Sequence, residues 1–220
     1  MANIIAWLVP RPNNSPATQA TLLPDNSLLS VPISSSSYLS SQLGLGAPEH
    51  AIELSFDRLP KNHGRYVLGT DPKVCDVVLP NLPHISTQHC SLGFDSQCRL
   101  TLDDFSECGT QVWYGWESNG DRTDYTWTLD SQSPQSIDIQ GVKFQIIINQ
   151  QPDWAAFKTK VDSMYQASVL TAIDTAVKKL SPSPACCFTA LPARQRVVVS
   201  AEVYVWDLER PWEPMVKAAA

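Results

Sequence analysis

Residues 82–100, "LPHISTQHCSLGFDSQCRL", change character halfway along. The first half is turn-forming and polar, with Pro83, Ser86, Thr87, Gln88 and His89; the second, "HCSLGFD", alternates like a half-buried strand. Three chemistries compete for such a loop. Ser86 three residues before His89 supplies the residue types of a nucleophile and its base, and His89 beside Cys90 offers two metal ligands. The third is a phosphate-holding loop, in which hydroxyls and backbone N–H groups converge on an anion. No partner carboxylate or metal-ligand spacing supports the first two, so neither catalysis nor metal binding is expected of Ser86, His89 and Cys90.

Outward from this stretch, the apolar residues keep a period of two. Ile52, Leu54 and Phe56 share one face of "AIELSF", Tyr125, Trp127 and Leu129 one face of "YTWTLD", and Val142, Phe144, Ile146 and Ile148 one face of "VKFQIII". Between them lie "RYVLGT", "VVLP", "RLTLDDF", "TQVWY" and "SIDIQ", separated by turn signals at short intervals. This predicts a mainly β fold, an antiparallel sandwich, over residues 50–150. Residues 1–9, with the apolar "IIAWLV", predict its first strand, and the Pro- and Ser-rich segment 10–49 is expected to be a flexible insertion. After "NQQP" the period changes: Asp153 is a candidate N-cap, and Trp154, Phe157, Val161, Met164, Ile173, Val177 and Leu180 fall on one stripe. An amphipathic α-helix over 151–181 follows, ended by Lys178, Lys179 and Pro182.

Composition limits the partners. The 220 residues carry a net charge of −6, with a pI near 5.1, so the overall field repels nucleic acid and anionic membranes, and any anion site must be local. None of the six cysteines stands in a C-x-x-C spacing, and they read as reduced thiols. The apolar start, "MANIIAWLVP", is too short for a signal peptide or a membrane span, and an intracellular chain, cytoplasmic or nuclear, is expected.

The order of these pieces resembles a forkhead-associated (FHA) domain across residues 50–149. That family is an eleven-strand sandwich of the SMAD/FHA type whose loops at one end bind phosphothreonine peptides. The matching pieces are "YVLGT" for the family's Gly-Arg strand end, "CDVVLP" for the next strand, "ISTQHC" for its Ser-Arg-x-His loop, "LTLDDFS" for the following strand and "SECGTQV" for its Ser-x-Asn-Gly-Thr turn. The Gly-Thr-Asp-Pro variant, the long insertion and the following helix look most similar to FHA domains attached to fungal serine/threonine kinases. The resemblance implies a phosphothreonine-dependent interaction module without a cofactor. Ser86, Thr87, Lys73, Thr70, Cys108 and Gly109 would meet the phosphopeptide, while Gly69, His89 and Thr110 would shape the loops, His89 by bracing them from behind.

Two positions depart from the family pattern. Thr70 stands where the resemblance implies a phosphate-binding arginine, and Cys108 where it implies an asparagine that holds the peptide backbone. Asn tolerates the left-handed region that such turns use, and Cys has no special fitness for it. A lost charge-assisted hydrogen bond costs roughly 1.5–3 kcal/mol, so weakened phosphate binding is expected. The alternative is a structural or autoinhibitory remnant of a fungal kinase whose helix, through Trp154 and Phe157, docks a partner.

Other residues carry less chemistry. Trp113, Tyr114 and Trp116 read as core and rim packing, and Asp103 with Asp104 as a solvated strand end whose two carboxylates point to opposite faces. Thr18 and Thr21 in the insertion are candidate phosphorylation targets for intramolecular capture. In the linker-and-tail segment 182–220, "AEVYVWDLERPWEPMVKAA" looks similar to two strands of a kinase small lobe, with Lys217 at the position of the ATP lysine. No glycine-rich loop, H-R-D or D-F-G motif accompanies it, so a truncated kinase relative without enzyme activity is expected.

Overall fold

A computed structural model describes residues 3–166 apart from 44–45, 62–63, 119, 130–134 and 150–152. The period-two stretches become strands: β1 (Ile4–Pro10), β2 (Ser30–Pro32), β3 (His50–Ser55), β4 (Tyr66–Gly69), β5 (Val77–Val78), β6 (Cys90–Phe94), β7 (Leu100–Asp104), β8 (Gln111–Tyr114), β9 (Glu117–Ser118), β10 (Thr126–Leu129), β11 (Gln135–Ile139) and β12 (Val142–Ile148). They form one sheet in the order β2-β3-β1-β12-β11-β8-β9 and another in the order β10-β7-β6-β4-β5. All pairings are antiparallel except β4 with β5. The fold is the mainly β sandwich that the alternation predicts. Among the described strands, β2 comes from the 10–49 segment.

Alternation sends every second residue between the sheets. Leu8, Ile52, Leu54, Leu68, Leu92, Leu102, Ile137, Ile139 and Phe144 are buried there in one cluster. Each such side chain contributes about 1.5–3 kcal/mol when withdrawn from water. The opposite parity is also buried on the seven-stranded sheet. Trp7 and Val9 of β1, Ala51 of β3 and Ile147 of β12 form a second cluster with Ile33 and Leu39.

That second cluster corrects the flexible-insertion expectation for residues 10–49. The segment folds into helix α1 (Ser15–Leu22), a 3-10 turn (Pro24–Asn26), β2, a second 3-10 turn (Ile33–Ser35) and helix α2 (Ser37–Gln42). It gains the apolar surface needed to offset its ordering entropy by covering the outer face of β1, with Tyr38 stacked 5.6 Å from Trp7. Polar side chains fasten it. Asn14 caps α1 by accepting from Ala17 N, and also donates to Gly141 O and accepts from Lys143 N. The fully buried Asn26 acts as a substitute strand for β5, accepting from Val78 N at 2.8 Å and donating to Val78 O at 2.7 Å. Thr21 is buried with its hydroxyl on Thr18 O, so of the two candidate target threonines only Thr18 is exposed.

After β12, residues 154–166 form helix α3, capped by Asp153 Oδ1, which accepts from Ala156 N. Val161 and Met164 enter the main core, and Phe157 meets Phe56 and Phe94 edge-on. Trp154 stays 58% exposed. Ile173, Val177 and Leu180 lie outside the described residues, as does the whole second unit, residues 182–220, with Lys217.

Candidate functional site

Three segments meet at one end of the sandwich: residues 69–75 after β4, the loop 82–89 before β6, and the turn 105–110 before β8. Gly69 lets the first two touch, because a Cβ there would lie 2.4 Å from Thr87 O. The contact is closed by hydrogen bonds. Thr70 N donates to Ser86 O at 3.2 Å, and Asp71 N to Thr87 O at 3.1 Å. Cys75 Sγ also donates to Thr87 O at 3.0 Å. Burial pushes the Cys75 thiol up to about 11, so it remains a donor.

His89 ties the loop to the turn. Its fully buried ring accepts from Ser86 N at 3.1 Å through Nδ1 and donates from Nε2 to Gly109 O at 3.1 Å. Burial holds the imidazole below the ordinary histidine range, so it stays neutral with the proton on Nε2. Both ring nitrogens are committed to backbone, and neither serves as a base for the Ser86 hydroxyl. Cys90 is also buried, its thiol pushed well above the ordinary range by desolvation. Among the described residues no cluster of three or more metal-ligand side chains forms.

The turn is held from below by Asp104. Its Oδ1 accepts from Ser106 N at 3.1 Å, its Oδ2 accepts from Thr110 Oγ1 at 2.6 Å, and Ser106 Oγ in turn accepts from Gly109 N at 2.8 Å. This corrects the solvated-strand-end reading of Asp103 and Asp104. They do point to opposite faces, but Asp104 is buried and Asp103 pairs with Arg65 at 2.8 Å. Gly109 carries φ +83, and a Cβ on it would lie 2.9 Å from Arg122 N. Cys108 is not among the residues with positive φ, so the left-handed conformation falls on the glycine and the cysteine bears no backbone strain. Trp113 and Tyr114 are half-buried, whereas Trp116 stands 94% exposed and takes no part in packing the rim.

The candidate ligand-facing residues line this framework. Thr70 and Ser86 are half-buried, and Thr87 and Lys73 exposed. Lys73 is fixed through its backbone N–H, which donates to Asp71 Oδ1 at 2.9 Å. The half-buried Cys108 places its Sγ 3.6 Å from His84 Nδ1, across the gap between loop and turn. Sequence reading missed Gln140, which donates to Cys108 O at 3.0 Å and Gly109 O at 2.8 Å. The available signal was Gln140-Gly141 between two alternating runs, a hairpin tip at the same end of the sandwich; both residues have positive φ.

Comparison with known proteins finds that residues 66–133 match the FHA domain family. No curated protein matches. Among solved structures, the chain is similar to the FHA domain of the CT664 protein from Chlamydia trachomatis, at 22% identity over 44% of this chain and 86% of that one, with a TM-score of 0.33. It is similar to the N-terminal FHA domain of Rad53p from S. cerevisiae, solved with a phosphothreonine peptide, at 21% identity over 39% and 68% of the two chains, TM-score 0.31. The refined NMR structure of the yeast Rad53 FHA1 domain aligns at 17% identity over 74% and 88%, TM-score 0.41.

Proposed function

We propose that the loop end binds a phosphothreonine-containing protein segment, and that the chain is an interaction module rather than an enzyme. The observation that carries this reading is the double tie on loop 82–89: its Ser86 and Thr87 carbonyls are taken by residues 70, 71 and 75, and its Ser86 N–H by His89. A loop held from behind in this way keeps its hydroxyls available in front. Phosphothreonine carries close to two negative charges and three strong acceptor oxygens. Ser86 and Thr87 supply hydroxyl donors, Thr70, whose hydroxyl donates to Ser86 O at 3.5 Å, flanks them, Lys73 supplies charge, and Cys108 with Gly109 forms the ledge for the peptide backbone. With Thr70 in place of an arginine the affinity is lower by about one to two orders of magnitude.

Calorimetric titration with a degenerate phosphothreonine library and its unphosphorylated twin tests the reading. Binding that requires phosphate and is weakened in Ser86→Ala supports it; equal response to both libraries sinks it. The exposed Trp154 favours a second reading, in which phosphate recognition is lost and α3 docks a partner. Binding that ignores Ser86 but is disrupted at Trp154 or Phe157 selects that one. A relation to fungal FHA-containing kinases rests on the Gly-Thr-Asp-Pro variant, the long insertion, the following helix and residues 201–219. ATP turnover by the purified chain would overturn the non-enzyme reading.

A further inference from the structure

The 121–125 segment, between β9 and β10, runs directly against the Gly109 turn. Thr110 and Arg122 exchange both backbone hydrogen bonds, at 3.1 and 3.0 Å. Because Gly109 has no side chain, nothing separates the turn from the Arg122 backbone. The Arg122 side chain is exposed, and its guanidinium lies 5.8 Å from the centroid of the Tyr125 ring. Such a ring orients a guanidinium without neutralising it. Among the described residues no carboxylate pairs with Arg122, whereas Arg65 and Arg99 are each paired with an aspartate. The loop end thus carries an anchored, unneutralised guanidinium beside the ledge.

We infer that Arg122 is a second recognition point, a specificity-determining residue that reads an acidic side chain of the bound phosphopeptide; this rests on the phosphopeptide reading above. Asp121, Asp124 and Glu107, all exposed nearby, cancel long-range attraction. Selectivity therefore comes from direct contact: the planar fork of Arg122 matches a carboxylate with two parallel hydrogen bonds. The backbone bridge to Thr110 does not depend on the side chain, so replacing Arg122 leaves the turn folded.

The test is titration of the full chain with phosphothreonine peptides in which one position at a time, within four residues of the phosphothreonine, is Glu or Gln. The expected result is a preference for Glu of about fivefold at one position, as for a partly exposed ion pair. Arg122→Gln and Arg122→Ala collapse that ratio to one, and Arg122→Lys retains part of it. A ratio that survives Arg122→Ala overturns the inference, even if both peptides weaken together. Wild-type binding with no Glu preference overturns the inference alone. Absence of phosphate-dependent binding to any of these peptides overturns the phosphopeptide reading and the inference with it.

Discussion

The loop end is built in two layers of opposite character. Beneath lie His89, Asp104, Ser106 and Thr110, all buried: the His89 ring links Ser86 N to Gly109 O, Asp104 accepts from Ser106 and Thr110, and Ser106 Oγ accepts from Gly109 N. Above lie Thr70, Lys73, Ser86, Thr87 and Cys108, half-buried or exposed. The lower layer determines where the upper one stands, because a buried polar group that loses its partner carries its full desolvation cost, whereas a rim side chain keeps water as an alternative. The difference teaches that a side chain at the rim can be exchanged without disturbing the frame beneath it.

Substitutions in the two layers should therefore separate stability from binding. The largest effect belongs below: Asp104→Ala leaves Ser106 N–H and the Thr110 hydroxyl without their acceptor, and urea unfolding should show a loss of about 3 kcal/mol. Next comes Thr70→Arg, which adds a guanidinium at the rim and should tighten phosphopeptide binding at least tenfold by calorimetry, with little change in the urea midpoint. Ser86→Ala should weaken the same peptide by roughly five- to tenfold, again with the midpoint nearly fixed. If Ser86→Ala instead destabilised the fold as much as Asp104→Ala, the separation into layers would be wrong.

The smallest effect is a pH dependence. Burial holds the folded-state pKa of His89 below the ordinary 6.5, so below that value the unfolded chain takes up the proton first. The contribution of the neutral imidazole is therefore fully present above about pH 6.5 and is lost as the pH falls toward the folded-state value. Thermal melts between pH 7.5 and 5 should show a decline in midpoint that is shallower in His89→Gln; equal slopes would remove His89 from the account.

Much of this was legible before any tertiary information. Ile52, Leu54 and Phe56, or Val142, Phe144, Ile146 and Ile148, announce strands because side-chain direction in a strand is fixed by parity. The loop cluster 82–89 announced the site end through its turn residues and hydroxyls. The insertion was misread because its composition is poor in apolar surface and its order comes from a partner distant in sequence. The signal was in β1, where Trp7 and Val9 are apolar at positions opposite to Ala6 and Leu8. A strand apolar on both faces must be covered on both faces.

The sequence by itself determined the strands, their alternating faces, the helix start at Asp153 and the position of the polar loop, since each depends on neighbours within a few residues. Only the tertiary structure decided that Asp104 is buried, that Asn26 pairs with Val78, that Gln140 holds the Cys108 turn and that Arg122 stands beside Gly109. These follow from register between segments far apart in the chain, and register sets which donor meets which acceptor.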